Sequence, residues 1–445
     1  MIQNKNNTKN KAYIVAVDMG YGHQRAAQPL LSIAEGGIIN ANKYKGISKK
    51  EQKQWSGGRY WYEIISRFKN ITIIGKLAFS IMDSFQKIEN FYPRRDLSKN
   101  SSQQKWFYNQ VKGGLGRRLI EELNQNPLPF VTTFFVPAYF AEYWGYKNDI
   151  YCVVCDADVA RAWAPYRPKE SRIKYLVPNK RVKERLMLYG VRKEYIYITG
   201  FPLPKENIGG ESLKTIKADL KARLYNLDPK GSYRKKYYKL IENYVCPIKE
   251  IKKNKHPLTI TFAVGGAGAQ REIGAIILQK LKKKITTGKL RLNLVAGNRN
   301  DVYLFYRKFL EKNKLEKSKN INIVYSTNKF GYFKDFNLVL RTTDILWTKP
   351  SELTFFSGLG LPIIISDPVG SQEDYNRDWL TYIGAGVNSL NPEYVDEWLF
   401  DWLESGWLAE AAMNGFLNAP KLGAYHIEDI VLKKKIVEAN EIHLM

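Results

Sequence analysis

The sequence predicts an α/β protein with two Rossmann-like, parallel-sheet domains and a basic insertion between them, on three observations. A unit of strand, glycine turn and helix recurs as "AYIVAV" into "DMGYGHQRAAQPLLSIA", "LTITFAV" into "GGAGAQREIGAIILQKLKKK", and "DILWTKPSELTFFSGLG" into "LPIIISD". Between these lie short apolar runs ("FVTTFFVP", "IYCVVCD", "KYLVPN", "YIYITG", "LRLNLVAG", "NINIVYS"), each near a turn or a helical segment. Alternating β and α units imply a mainly parallel sheet covered by helices. Finally, 445 residues exceed what one ordinary core holds.

In chain order, residues 1–204 form the first domain, opened by the run ending at Asp18. Residues 205–256, with "YRKKYYK" and "KEIKKNK", read as a basic helical insertion or a long linker. Residues 257–390 form the second domain, opened by the glycines from Gly265. Residues 391–445 carry apolar positions at helical spacing in "NPEYVDEWLFDWLESGWLAEAAMNGF" and are expected to be helical and to pack back on the first domain.

Composition sets the class. With 44% hydrophobic and 13% aromatic residues the chain folds and is neither fibrous nor disordered. Three cysteines make no disulfide framework; Cys152 and Cys155 sit in a β-branched run where residues three apart point to opposite faces and cannot share a metal. The apolar run after the N-terminal lysines stops at Asp18, too short for a secretion signal or a spanning helix, so a cytoplasmic protein is expected. The net charge of +27 fits nucleic acid, an anionic membrane surface, or drift toward lysine-rich composition. No helix-turn-helix, zinc-finger or RNA-recognition signature is present, so the expected surface partner is a membrane rather than nucleic acid. The aromatic, cationic segment 57–95 suits the inner membrane face as well as it suits core helices.

Glycine turns between strand and helix let backbone N–H groups and the positive helix end approach a phosphate. Gly20 and Gly22 make one such turn. Gly265, Gly266 and Gly268, followed by Gln270, make another, without the Gly-Lys-Ser/Thr of a Walker motif. In "TKPSELTFFSGLG", Lys349, Ser351, Glu352 and Thr354 precede a helical stretch and are placed to hold a diphosphate. In "GSQEDYN", Gln372, Glu373 and Asn376 suit sugar hydroxyls. A phosphate grip followed by a sugar grip suggests a nucleotide-sugar. His23, beside the first glycine turn, is either a turn residue or a base, an imidazole ordinarily titrating near about 6.5.

Seven pieces in order, "DMGYGHQRAA", "VVCDAD", "YLVPNKRVKERLMLYGVRKEYIYITGFPL", "FAVGGAGAQ", "LVAGNRND", "FGYF" and "TKPSELTFFSGLGLPIII...GSQEDYN", span roughly residues 12 to 390. Together they resemble the GT-B glycosyltransferases, which have two facing Rossmann-like domains. The resemblance is to the group containing monogalactosyldiacylglycerol synthase and the peptidoglycan lipid-intermediate N-acetylglucosaminyltransferase. It implies an inverting transfer from a nucleotide diphosphate sugar, UDP by default, to a hydroxyl in the acceptor-binding first domain, an acceptor lipid being favoured. It also implies that Gly265, Gly266 and Gly268 approach the diphosphate, Asn298 supports the donor, and Tyr332 stacks on the base. Ser351 and Thr354 would hold phosphate, and His23 would be the base, oriented or assisted by Asp18 or Asp156. Where relatives carry a ribose-binding glutamate this chain has Ser357, with Glu352 as the nearest substitute. "DAD" at 156–158 also matches the metal motif of GT-A enzymes, but lysine and helix ends would neutralise the diphosphate, so neither metal nor cofactor is expected. A nucleotide-sugar 2-epimerase of the same fold, or a non-catalytic binder of RNA or anionic lipid, are the rival readings.

Overall fold

The computed structural model describes residues 10–55, 87–253, 256–265, 268, 270–368, 371–437 and 439. By its contacts the chain divides into two compact units, Met1–Leu203 with Val369–Asn376 and Leu422–Met445, and Pro204–Pro368 with Arg377–Lys421.

The first unit holds strands β1 (Ala12–Ala16), β2 (Ala34–Asn40), β3 (Phe130–Thr132), β4 (Ile150–Val153), β5 (Lys174–Val177) and β6 (Ile196–Ile198). They form one sheet in the order β2-β1-β3-β4-β5-β6, every pair parallel. A sheet covered on both faces needs apolar residues at consecutive positions. The inner strands β1, β3, β4 and β5 comply, and the pleat sorts them: Val15, Phe130, Cys152 and Tyr175 join one core, Ile14, Val131, Tyr151 and Leu176 the other. Each fully buried aliphatic or aromatic side chain in these layers contributes about 1.5–3 kcal/mol. Helix α1 (Gly22–Ala27) follows β1, α2 (Phe135–Tyr143) follows β3, and α3 (Lys180–Leu188) follows β5. Asn179 caps α3 by accepting from the Val182 N–H at 2.9 Å.

The second unit opens with the basic segment, which is helical: α4 (Lys214–Leu227), α5 (Ser232–Lys236) and α6 (Tyr238–Tyr244). It is no free linker. Arg223 is buried, and its guanidinium donates to the carbonyls of Thr343, Leu359 and Leu340 at 2.6–2.8 Å, fixing α4 into the unit. Then come β7 (Leu258–Ala263), α7 (Arg271–Lys280), β8 (Leu290–Gly297), α8 (Asn300–Lys312), β9 (Ile321–Tyr325), α9 (Lys329–Leu340), β10 (Ile345–Thr348), β11 (Ile363–Ile365), α10 (Ser371–Tyr382) and β12 (Gly386–Asn388). The sheet order is β12-β11-β10-β7-β8-β9, again all parallel. Counted within the unit this is the 3-2-1-4-5-6 order of a dinucleotide-binding Rossmann fold.

The C-terminal segment is helical but does not stay together. Helices α11 (Val395–Glu404) and α12 (Trp407–Asn418) belong to the second unit, where Trp398 packs edge-on against Trp347 at 5.4 Å. Helix α13 (Gly423–Lys433) belongs to the first, where Ala424, Ile427, Ile430 and Val431 join its core. Among the described residues no helix is long and apolar enough to cross a membrane. Most of the 57–95 segment, residues 57–86, lies outside the described residues.

Candidate active site

In an open parallel sheet a ligand crevice forms beyond the strand C-termini, where neighbouring strands send their connections to opposite sides. In the first sheet that point lies between β1 and β3, because β2 is on one side of β1 and β3 on the other. The chain leaves β1 through Gly20, whose φ of +75° suits glycine, and starts α1 at Gly22. His23 therefore stands at the switch point. Its Nδ1 is 2.7 Å from the carbonyl oxygen of Thr133, the residue after β3. Thr133 is fully buried, and its Oγ1 donates back to the His23 carbonyl at 2.8 Å. A carbonyl only accepts, so Nδ1 carries the proton and, in the neutral ring, Nε2 carries the lone pair. Phe134 packs 4.7 Å from the imidazole and Trp163 6.4 Å, fixing its plane.

The carboxylates expected beside His23 have other engagements. Asp18 forms an ion pair with Lys43, and its backbone N–H donates to Asn42 Oδ1 at 2.9 Å. The Thr133 carbonyl takes the orienting role that the sequence assigned to an acid. Asp156 follows β4, and its Oδ1 accepts from Asn376 Nδ2 at 3.2 Å. Asn376 Oδ1 accepts from the Ala157 N–H at 2.8 Å, and the side chain is 1% exposed. Asn376 is thus turned onto the "DAD" loop of the first unit instead of being presented to a donor sugar. Gln372 and Glu373, in the first turn of α10, are half-buried and belong to the same unit. Asp158 is buried and grips Arg185 with both oxygens, from Nε at 2.9 Å and Nη2 at 2.8 Å. The second acid of "DAD" therefore has a structural guanidinium partner.

In the second sheet the switch point lies between β7 and β10. Gly265 follows β7 and Lys349 follows β10. A Cβ on Gly265 would lie 2.3 Å from Lys349 Cε, so the absence of a side chain lets the lysine stem cross the turn. The turn continues through Gly268, φ +72°, whose N–H donates to the Gly265 carbonyl at 2.8 Å, and Gln270, φ +67°, into α7. Gln270 Nε2 donates to the Asp367 carbonyl at 3.0 Å, pinning this loop to the one after β11. The result is a lysine, a glycine turn and a ten-residue helix N-terminus at one crevice, an electropositive arrangement of the kind that attracts anions. Gly266 lies outside the described residues.

The other donor residues divide. Asn298 stands just after β8, half-buried and close to Arg299, whose guanidinium pairs with Asp301 at 2.9 and 3.1 Å. Arg299 Nε would be 3.7 Å from a Cβ on Gly268, a cation beside the turn that lies within "LVAGNRND" but to which the sequence pattern assigns no role. Ser351 and Glu352 stand at the start of a 3₁₀ segment, Glu352–Leu359, both partly exposed. Thr354 is fully buried, and its Oγ1 donates to the Ser351 carbonyl at 2.8 Å, a bond back along the first turn of that segment that turns the hydroxyl inward. Tyr332 is 1% exposed on α9 against Phe333 and Phe336, at 5.4 and 5.8 Å between ring centres. It is a core residue, not a platform for a base. Ser357 is fully buried as well.

Thr133 was legible only as part of the strand run "FVTTFFVP". Its pairing with His23 joins residues 110 apart and needs the β1–β3 neighbourhood to be known.

A family model described as a domain of unknown function (DUF6938) matches residues 298–387. Over 83% of its length the chain is similar to processive diacylglycerol beta-glucosyltransferases, covering 81% of each relative. Identity is 22% to the Bacillus cytotoxicus protein and 25% to the Bacillus thuringiensis one. Among solved structures, the S. aureus MnaA-UDP co-structure is similar at a TM-score of 0.46 and 13% identity, over 97% of this chain and 99% of that one. MurG of Acinetobacter baumannii is similar at 0.46 and 12%, over 95% and 99%. The fold assignment itself rests on the strand orders of the two sheets. Over most of its length the chain resembles the GT-B glycosyltransferases of the group containing monogalactosyldiacylglycerol synthase and the peptidoglycan lipid-intermediate N-acetylglucosaminyltransferase, and a glycosyltransferase is the enzyme class that motifs, sheets and relatives support together.

Proposed function

We propose that the protein is an inverting glycosyltransferase that moves a sugar from a nucleotide diphosphate sugar, UDP-linked by analogy with its relatives, to a hydroxyl of a membrane lipid of the diacylglycerol type. The observation that carries this reading is the His23–Thr133 pair, which holds the imidazole in the tautomer a general base needs. In the reaction the acceptor O–H gives its proton to Nε2 as its oxygen bonds to the anomeric carbon. The bond from that carbon to the diphosphate oxygen breaks on the opposite face, and the electron pair leaves on the diphosphate. Lys349, the N–H groups of the glycine turn and the α7 N-terminus stabilise that developing charge, without a metal in this scheme. The support for a lipid acceptor is the name of the relatives and the basic character of the chain.

The test incubates purified full-length protein with UDP-, GDP- and dTDP-sugars, with and without diacylglycerol in detergent micelles, and reads products by mass spectrometry and their anomeric and epimeric configuration by proton NMR. A glycosylated lipid of inverted anomeric configuration is expected. Isomerised donor without acceptor would make the protein an epimerase, and no binding or turnover of any nucleotide-sugar would remove the enzyme reading.

A further inference from the structure

The basic segment that the proposed chemistry does not use forms a mounted surface on the second unit. Asp228, fully buried, accepts from the backbone N–H groups of Tyr233 at 3.2 Å and Arg234 at 2.9 Å, tying down the first turn of α5. The Arg234 guanidinium folds inward onto the same carboxylate at 3.1 Å. Tyr233 is buried with its Cβ against Gly406, and Ile241 anchors α6. With its base fixed, the α5–α6 pair turns Lys235, Lys236, Tyr238, Lys239 and Tyr244 to solvent. Tyr238 and Tyr244 are 45% and 51% exposed. Beside them a cleft of about 480 Å³ is lined by Gly231, Arg234, Lys235, Tyr238 and Ile248. From 229 to 253 the chain carries eight lysines and arginines against Glu242 and Glu250.

We propose that this tyrosine–lysine face docks the protein on an anionic lipid bilayer. Charge complementarity names the occupant. The outward cations are lysines, point charges on flexible stems that suit a diffuse anionic surface. The arginine, whose planar fork would read nucleic-acid phosphates and bases, is turned inward to Asp228. Tyrosine carries an apolar ring and a polar tip, the combination that settles at the headgroup level. None of these residues belongs to the glycine turn or to the Lys349 loop, so the inference goes beyond the transfer reaction and stands or falls separately from it.

The experiment sediments full-length protein with vesicles of phosphatidylcholine alone or with about a third phosphatidylglycerol, at low and high salt. Salt-sensitive binding to the anionic vesicles is expected. The variant Lys235→Gln/Lys236→Gln/Lys239→Gln should lower the partition coefficient roughly a hundredfold, about fivefold per lysine. Tyr238→Ser/Tyr244→Ser, which keeps every charge, should lower it severalfold. Both variants should keep wild-type thermal unfolding and UDP affinity. Wild-type partition by the lysine variant would overturn the proposal, and so would binding to single-stranded RNA with no binding to anionic vesicles.

Discussion

At the scale of single residues, His23 shows how a fold makes a base out of a side chain that is neutral in meaning by itself. Without the Thr133 carbonyl at 2.7 Å the imidazole would exchange tautomers and its plane would wander. With it, one nitrogen is committed and the other is the acceptor. His23→Gln, which retains an amide able to reach Thr133, should leave nucleotide-sugar affinity within a few fold of wild type. It should lower the turnover number by roughly 10²–10⁴, the usual range for loss of a general base. Steady-state kinetics beside a binding isotherm check this, and a loss confined to affinity would reassign His23 to the turn. The sequence displayed His23 and the glycines, because both are properties of one short stretch. It did not display the fates of Asn376, Thr354 and Tyr332. Their residue types suit sugar, phosphate and base, but Asn376 bonds to a loop 219 residues away, Thr354 to a carbonyl three residues back, and Tyr332 points into a core. Which hydrogen bonds a side chain makes is set by tertiary neighbours, which no local pattern encodes.

At the scale of elements, the strands were legible because a parallel strand buried on both faces is rich in apolar and β-branched residues: "AYIVA" is nearly all apolar, and "LTITFA" adds two buried threonines. The loops were legible only in their glycines. The "DAD" loop is the clearest case: its motif suggested metal or catalysis, while its second acid joins α3 to the loop through Arg185. Both partners are buried, and Arg185 Nη1 also donates to the Glu89 carbonyl at 2.7 Å. Removing one half of such a pair leaves an uncompensated buried charge, which costs about 3–5 kcal/mol. Arg185→Met should therefore destabilise the first unit by that amount in urea unfolding. The double variant Arg185→Met/Asp158→Asn should recover a large part of it, because no bare carboxylate remains. Equal losses in the single and double variants would show that packing, not charge, dominates this loop.

At the scale of the whole molecule, one buried acid in each unit meets its charge in a different way, and pH should act on the two differently. In the first unit the buried acid Asp158 has a guanidinium fork on both oxygens. In the second, Asp344 at the start of β10 is fully buried, and its Oδ2 accepts from the Thr259 N–H at 2.8 Å and Asn226 Nδ2 at 2.9 Å. Its Oδ1 is buried without a hydrogen-bond partner among the described residues. Burial pushes its carboxyl up to about 7, against the opposing pull of those two donors and of Arg223 and Arg291. Nearby His256, 3.7 Å away, is shifted down by burial and so does not supply a compensating charge near neutrality. The folded state thus holds the proton more tightly than the unfolded chain, where an aspartate titrates near about 3.9. Stability from this group is fully present below the unfolded value and is lost as pH rises through about 7. Asp344→Asn keeps an acceptor for the Thr259 N–H and removes the titration. Urea unfolding of the full chain should give wild type and variant similar stabilities near pH 4. At pH 8 the variant should be the more stable by a few kcal/mol, because each tenfold difference in proton affinity between the folded and unfolded chain is worth about 1.4 kcal/mol. A difference that stays constant from pH 4 to 8 would mean that Asp344 remains ionised in the folded protein, the pull of Arg223 and Arg291 outweighing burial.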